Sequence, residues 1–201
     1  MRTAPRQSAR CSWRSSAALL LVSAGAVRVE GEVSGRLVGD RATPAVIYAL
    51  DLPDVAAPSH LRASLKQRNL HFAPQVLPIL QGTTVAFVNE DSTAHNVFSP
   101  SPPDPFDLGT FGDGIRTHLF REPGPRVILC NVHVEMVAWV LVLRNSHFVA
   151  VDEEGRFALK LPPGRHRLAL WRPREPERGR DVEVPSEGKL DLVWDLNERS
   201  Q

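Results

Sequence analysis

Cys130 begins a short run that contains three different side chains able to bind a soft metal ion. The run is Cys130, Asn131, Val132, His133, Val134, Glu135 and Met136, so that an imidazole and then a thioether follow the thiol at intervals of three residues. A thiolate, two imidazoles and a weak axial thioether form the ligand set that holds a copper ion cycling between Cu(I) and Cu(II). The run therefore predicts three copper ligands and requires a second imidazole from another segment.

His95 is the candidate for that second imidazole. It comes shortly after a predicted strand at residues 83–89, and Cys130 directly follows a second predicted strand at residues 126–129. Loops at one end of a β-sandwich would bring His95, Cys130, His133 and Met136 around one copper ion. Asn96, next to His95, is placed to tie the two ligand loops together through its amide, with the Cys130 sulfur as a candidate partner. We interpret Asn96 as a support for the ligands.

Two other kinds of site use the same residues. Structural zinc sites prefer several cysteines or histidines and rarely include a thioether, so Met136 favours copper. A nucleophilic enzyme built on Cys130 and His133 is a further alternative, but a histidine three residues along an extended segment is poorly placed as the base. We therefore expect a protein that is not an enzyme. The other histidines lack comparable spacing and are predicted at the surface or in turns: His60, His71, His118, His147 and His166.

Residues 1–26 have the layout of a secretory signal peptide. An apolar run at residues 17–22 precedes the small residues Ala24, Gly25 and Ala26, and it follows four arginines without any acidic residue. The run is too short for a membrane span, which needs roughly 20 residues. We expect export to the periplasm, a mature chain beginning near Val27 and loss of Cys11 with the signal, which leaves Cys130 without a disulfide partner.

The charge of the mature chain argues against nucleic acid as a partner. The sequence has 24 Lys and Arg residues and 23 Asp and Glu residues, and removal of the four signal arginines leaves 20 basic residues and a formal charge of −3. Nucleic-acid-binding proteins instead carry basic patches. An arginine-rich stretch at residues 165–180 is interrupted by acidic residues, and we interpret it as a solvated loop.

Short runs of alternating or continuously apolar residues predict β-strands along most of the mature chain, and 17 prolines favour turns over helices. About 55 residues after Asn145 are few for an independent core. We therefore expect residues 27–52 to join residues 145–197 in one small sandwich. Residues 60–144 would form a separate copper-binding sandwich inserted between these two pieces.

Two motifs of this chain resemble those of the cupredoxin family. One is Val85-x-Phe87-x-Asn89-x-Asp91-x-x-x-His95-Asn96-Val97, and the other is Cys130-Asn131-Val132-His133-x-x-Met136. The short spacing of the second motif is similar to that of the amicyanin and pseudoazurin branch. The resemblance implies an all-β, Greek-key β-sandwich with one type 1 copper ion, held by His95, Cys130, His133 and Met136, and electron transfer between redox partner proteins.

Three further motifs resemble exported plastocyanin-like proteins known as methylamine utilisation proteins. They are Gln67-Arg68-Asn69-x-x-Phe72-x-Pro74, Phe106-Asp107-Leu108-Gly109 and Asp152-x-x-Gly155-x-Phe157-x-Leu159-x-Leu161-Pro162-Pro163-Gly164. This resemblance implies a second, small sandwich of the transthyretin or carboxypeptidase-regulatory type. Glu135 stands where these relatives have an aromatic residue, which would make the copper surface more negative. A non-redox binding or structural module of the cell envelope on the same scaffold is the alternative function.

Overall fold

The computed structural model describes residues 30–39, 44–55 and 61–197. The predicted signal peptide, the predicted start of the mature chain and His60 lie outside the described residues. The described segments contain sixteen strands and no helix, which confirms the all-β prediction. Accordingly, no helix in these segments is long and apolar enough to cross a membrane.

The middle of the chain forms a sandwich of two sheets, which we call the first sandwich. The strands of its four-stranded sheet, in spatial order, are β4 (His71–Ala73), β3 (Arg62–Arg68), β6 (Thr83–Asn89) and β9 (Ile115–Phe120). The strands of its five-stranded sheet are β5 (Val76–Leu80), β11 (Val137–Leu143), β10 (Gly124–Leu129), β7 (His95–Ser99) and β8 (Phe106–Phe111). The apolar core of this sandwich lies between the two sheets.

The second sandwich combines the first two described strands with the last five. Its three-stranded sheet consists of β13 (Arg156–Leu161), β1 (Gly31–Val38) and β16 (Lys189–Asp195). Its four-stranded sheet consists of β12 (Phe148–Ala150), β2 (Val46–Ala49), β14 (Gly164–Trp171) and β15 (Arg178–Val184). Strands β1 and β2 thus follow each other in the chain but lie in opposite sheets, with one core between them.

Strand β6 illustrates how the sequence produces these elements. Val85 and Phe87 are fully buried, whereas Thr84, Ala86 and Val88, which alternate with them, are partly exposed. Successive side chains of a strand point to opposite faces, so this alternation places one apolar row in the core. The first sandwich obtains its core from such rows on both of its sheets.

The chain changes sheets at Pro74 and Gln75, between β4 and β5. Strand β4 is an edge strand of the four-stranded sheet, and β5 is an edge strand of the five-stranded sheet. Proline has no N–H to donate, so a strand containing it is confined to a sheet edge. Pro78 lies within β5, which agrees with the irregular or edge strand that its prolines predict.

A third apolar cluster joins the two sandwiches. It is formed by residues from the outer faces of the five-stranded sheet and the sheet that contains β2 and β14: Val46, Val76, Leu141, Leu143 and Trp171. The rings of Trp139 and Trp171 meet edge to face there, with centroids 5.9 Å apart. The described molecule is therefore a stack of four sheets with three apolar layers between them.

Two predictions from the sequence are wrong in this part of the fold. The arginine-rich stretch at residues 165–180 is not one solvated loop, because β14 and the start of β15 occupy most of it, and Arg167 pairs with Asp181 across these strands. His166 is buried rather than exposed, and its ring nitrogens contact the Asp51 carboxylate and the Pro162 carbonyl. Alternating charged residues on a half-exposed strand look like a loop in sequence.

Candidate metal centre

Two strand ends and one short loop bring the predicted ligands together. His95 is the first residue of β7, and Cys130 directly follows the last residue of β10. Strands β7 and β10 are antiparallel neighbours, with Leu129 paired to Phe98. The start of β7 and the end of β10 therefore lie at the same end of the sheet. The loop that carries His133 and Met136 then connects β10 to β11, which pairs with β10 on its other side.

The donor atoms of His95, Cys130 and His133 converge on one point. One ligand atom from each of these residues lies within 4.8 Å of the others. The Nδ1 atoms of His95 and His133 are 3.0 Å apart, and their rings meet edge to face. His95 and Cys130 are buried and His133 is partly exposed.

These separations fit a metal ion at the centre of the cluster. Metal–nitrogen bonds are about 2.0–2.1 Å and metal–sulfur bonds about 2.3 Å, so ligand atoms of one ion lie only a few ångströms from each other. Two imidazole nitrogens and one sulfur form a trigonal set that suits copper. The residues present therefore fit a copper ion, which His95, Cys130 and His133 would hold.

Met136, the fourth predicted ligand, ends the same loop. It is buried, and it belongs to the same apolar cluster as Cys130. Its backbone N–H donates to the carbonyl of His133 at 3.1 Å, which closes a turn within the loop. The turn fixes the backbone at Met136, whose part as a weak axial sulfur ligand of copper stays a prediction.

Asp91 fixes the orientation of His95. The Nε2 atom of His95 lies 2.8 Å from Oδ2 of Asp91, whose side chain is only 13% exposed. A carboxylate can only accept a hydrogen bond, so Nε2 carries the proton of the neutral ring and Nδ1 keeps its lone pair. Nδ1 is the atom that faces His133, and a carboxylate partner of this kind orients metal-binding histidines.

Asp91 is itself held by the turn between β3 and β4. The backbone N–H groups of Asn69 and Leu70 donate to its two oxygens at 2.6 and 3.0 Å. The hydrogen bond from Leu70, followed by those from His95 and Asn69, keeps the pKa of the Asp91 carboxyl below its usual range. Asp91 therefore stays ionised and links the four-stranded sheet to a ligand on the five-stranded sheet.

Asn96 does not make the contact predicted from the sequence. It is buried, but its amide nitrogen donates to the Asp107 carboxylate of β8 at 2.7 Å, so its partner lies outside the loop of residues 130–136. Asp107 also accepts from the N–H of Gly109. Asn96 thus braces β7 against β8 beside His95, and its effect on a bound metal stays a prediction.

The exposed edge of the cluster has an apolar rim. Val132 and Val134 flank His133 and are 47% and 79% exposed, and Glu135 is also exposed. Leu70 and Ile115 are exposed as well, the first in the turn that holds Asp91 and the second opposite Val88 near the end of β6. His133 therefore reaches solvent between two exposed valines.

The remaining described histidines do not belong to the group of converging donor atoms. His71 is exposed, and His147 is partly exposed and contacts the Lys160 carbonyl. His118 stacks on Phe106, with ring centroids 3.9 Å apart, and contacts Asp104. No role for Asp91 is predicted from the sequence, although a carboxylate four residues before His95 is a visible clue.

Comparisons with family models and with curated protein sequences give no match for this chain. Among solved structures, a purple cupredoxin from Nitrosopumilus maritimus matches 40% of this chain and 99% of its own, with 26% identity and a TM-score of 0.38. A copper-containing nitrite reductase from Thermus scotoductus matches 55% of this chain and 28% of its own, with 27% identity and a TM-score of 0.41. A Cu(I) amicyanin variant matches 41% of this chain and 82% of its own, with 19% identity and a TM-score of 0.38.

Proposed function

We propose that this chain is an exported protein that holds one type 1 copper ion and carries one electron at a time between redox partner proteins in the periplasm. The observation that supports the proposal most directly is the convergence of the His95, Cys130 and His133 donor atoms within 4.8 Å. Met136 adds the thioether that favours copper over zinc. The bound copper ion would supply the Cu(I)/Cu(II) couple.

The surrounding residues suit rapid electron transfer because they hold the ligands in place. Asp91 fixes the His95 ring, and Cys130 is anchored by the end of β10. Burial of His95, Cys130 and Met136 keeps water from these three groups. Ligands that cannot rearrange favour the same geometry in both oxidation states. The reorganisation energy of electron transfer is therefore small.

His133 offers the route by which the electron would enter or leave. It is the ligand of the cluster that is partly exposed, and Val132 and Val134 surround it with apolar surface. An exposed apolar patch marks a site of protein association. A patch of a few residues suits the weak and brief contacts of redox partners.

The colour of the copper-loaded protein tests the proposal. Recombinant mature protein mixed with Cu(II) should turn intensely blue or green and should lose its colour with a mild reductant. Cys130→Ser is the control, because the colour comes from the thiolate bond to copper. A protein that stays colourless would contradict the electron-carrier proposal and favour the non-redox binding or structural role.

A further inference from the structure

Gln67 is a fully buried amide without a hydrogen-bond partner. Neither Nε2 nor Oε1 of its side chain has a partner among the described residues, and none of the residue is exposed. It lies on β3, where Leu65 and Gln67 face inward while Lys66 and Arg68 face solvent. A buried amide that lacks partners destabilises a fold, so its presence in an apolar core requires an explanation.

The position of Gln67 in the sheet places it at the metal end of the first sandwich. It is paired with Asn89, the last residue of β6, and its carbonyl accepts a hydrogen bond from the N–H of Glu90. Two residues beyond Gln67, the turn of Asn69 and Leu70 holds Asp91, which holds His95. The same strand end thus positions both Gln67 and the support of a ligand.

The amide also faces the core that contains the ligand sulfurs. Leu65, on the same face of β3, and Phe72, opposite Gln67 on β4, belong to the apolar cluster that includes Cys130 and Met136. Leu65 and Phe72 thus give Gln67 apolar neighbours, and the amide of its partner Asn89 is already engaged by Thr93 and Asp91. A hydrogen bond is strengthened in such a medium of low dielectric constant.

We propose that Gln67 is a positioning residue of the copper centre, and that its Nε2–H donates to the Cys130 thiolate in the copper-loaded protein. The inference rests on the proposed function. A cysteine binds a metal as the thiolate, which is the only anion among the four ligands and therefore a charged acceptor for the amide. Hydrogen bonds to ligand sulfur tune reduction potentials.

Gln67→Leu tests the proposal, because leucine is apolar and of similar size. Metal-free Gln67→Leu should unfold at a temperature equal to or above that of wild type, since it removes an amide without protein partners. With copper, the variant should have a lower reduction potential and a shifted charge-transfer band, because the thiolate loses a donor. Its copper affinity should fall at least about 10-fold, as when other supporting partners of metal ligands are removed.

Thr83→Val is the matched control. Thr83 is buried at the other end of the same sheet, where its hydroxyl donates to the Leu80 carbonyl. This variant should unfold at a lower temperature and leave the potential and the copper spectrum unchanged.

Two results would overturn the role of Gln67. A metal-free Gln67→Leu protein that unfolds at a lower temperature than wild type would show that the amide has a partner within the protein. A copper-loaded variant with the wild-type potential and spectrum would show that the amide is remote from the ligands. Wild-type protein that takes up no copper would instead contradict the proposed function itself, and with it this proposal.

Discussion

The two ring nitrogens of His95 have different roles, and the whole candidate centre depends on that difference. Asp91 binds Nε2 and leaves Nδ1 to face Cys130 and His133. This carboxylate is in turn fixed by backbone N–H groups of a turn on the opposite sheet. One acidic side chain therefore connects the backbone of one sheet to a metal-binding atom of the other.

Asp91→Asn should weaken copper binding by about 10- to 100-fold, the range found when a supporting partner of a metal ligand is removed. Both oxygens of Asp91 accept hydrogen bonds, so an asparagine would have to turn its NH₂ group towards a donor, either His95 or the turn. It also carries no charge to hold the ring. Competition with a copper chelator measures the affinity. Asp113→Asn is the control, since Asp113 is exposed in the turn between β8 and β9. Equal affinity of Asp91→Asn and wild type would exclude the orienting role.

The Cys130→Ser and Met136→Leu variants should separate the roles of the two sulfur ligands. Cys130→Ser should abolish the colour, because the intense absorption requires the thiolate. Met136→Leu should keep a coloured site with a changed reduction potential, since an axial thioether tunes the potential. Absorption spectra and voltammetry measure both properties, and equal loss of colour in the two variants would show that Met136 is not an axial ligand.

The structure brings together three of the four donor residues predicted from the sequence, His95, Cys130 and His133, whereas the contacts that support them differ from the prediction. The spacing of Cys130, His133 and Met136 is local, and the soft donor set restricts the choice of metal. The hydrogen bond from Asn96 to Asp107 depends on how β7 and β8 pair, including an irregularity between Asn96 and Phe98. Gln67 and Asp91 both occur in the motifs quoted from the sequence, but their surroundings depend on the pairing of β3 with β6 and on the turn between β3 and β4, which those motifs do not describe.

Strand β9 carries a histidine that should make the stability of the fold depend on pH. His118 stacks on Phe106 and meets Phe120 edge to face. Burial lowers its pKa, and this effect outweighs the opposing influence of Asp104. The folded protein therefore binds the His118 proton less readily than the unfolded chain does.

His118→Phe should reduce the loss of stability in mild acid. The unfolded histidine has a pKa near 6.5, so as the pH falls below about 6.5 the unfolded chain gains a proton that folded His118 resists. Above that pH both states are neutral and the histidine contributes no pH dependence. Chemical denaturation at several pH values should show the variant gaining stability relative to wild type as the pH falls. A difference that does not vary with pH would contradict this account.

Strand β1 requires a glycine at its centre. It lies between β13 and β16, and a Cβ atom at Gly35 would overlap the carbonyl oxygen of Leu192 and the ring of Phe157. Gly35→Ala should therefore lower the free energy of unfolding by about 1–3 kcal/mol, the usual effect of overpacking. Thermal denaturation measures the loss. Arg36→Ala, at the adjacent exposed position, should change the stability little.

Strand predictions succeeded where one face of the strand is buried and the other is partly exposed. The alternation in β6 and the apolar run of β11 mark such strands clearly. Strands β8 and β15 are not marked in this way, because most of their residues are polar, small or exposed. An exposed strand is held by backbone hydrogen bonds to its neighbour, which any sequence can make.

The molecule as a whole is a stack in which the two inner sheets each face two cores. Strand β11 shows this best: Val140 and Val142 lie in the core of the first sandwich, whereas Leu141 and Leu143 lie in the cluster between the sandwiches. The sequence shows this as a continuous apolar run. The run indicated a buried strand, but which surface covers its second face depends on contacts with β2 and β14.

Trp171→Ala should destabilise both sandwiches together. Trp171 is buried in the cluster between them and contacts Trp139. Truncation of a buried tryptophan costs about 3–5 kcal/mol, and the cavity would border both inner sheets. In wild type, calorimetry and the loss of the copper colour should report the same unfolding temperature. In the variant, both should report the same lower temperature. A colour change at the wild-type temperature would show that the first sandwich is stable independently.

The apolar layer between the sandwiches also limits how the protein can be engineered. If the chain were shortened to the first sandwich for use in a biosensor, Trp139, Leu141 and Leu143 would become exposed on the outer face of the five-stranded sheet. Such a fragment would self-associate or adsorb to the electrode of the biosensor. A workable minimal device would need those outward positions redesigned as polar, or would keep the second sandwich as a built-in handle for immobilisation.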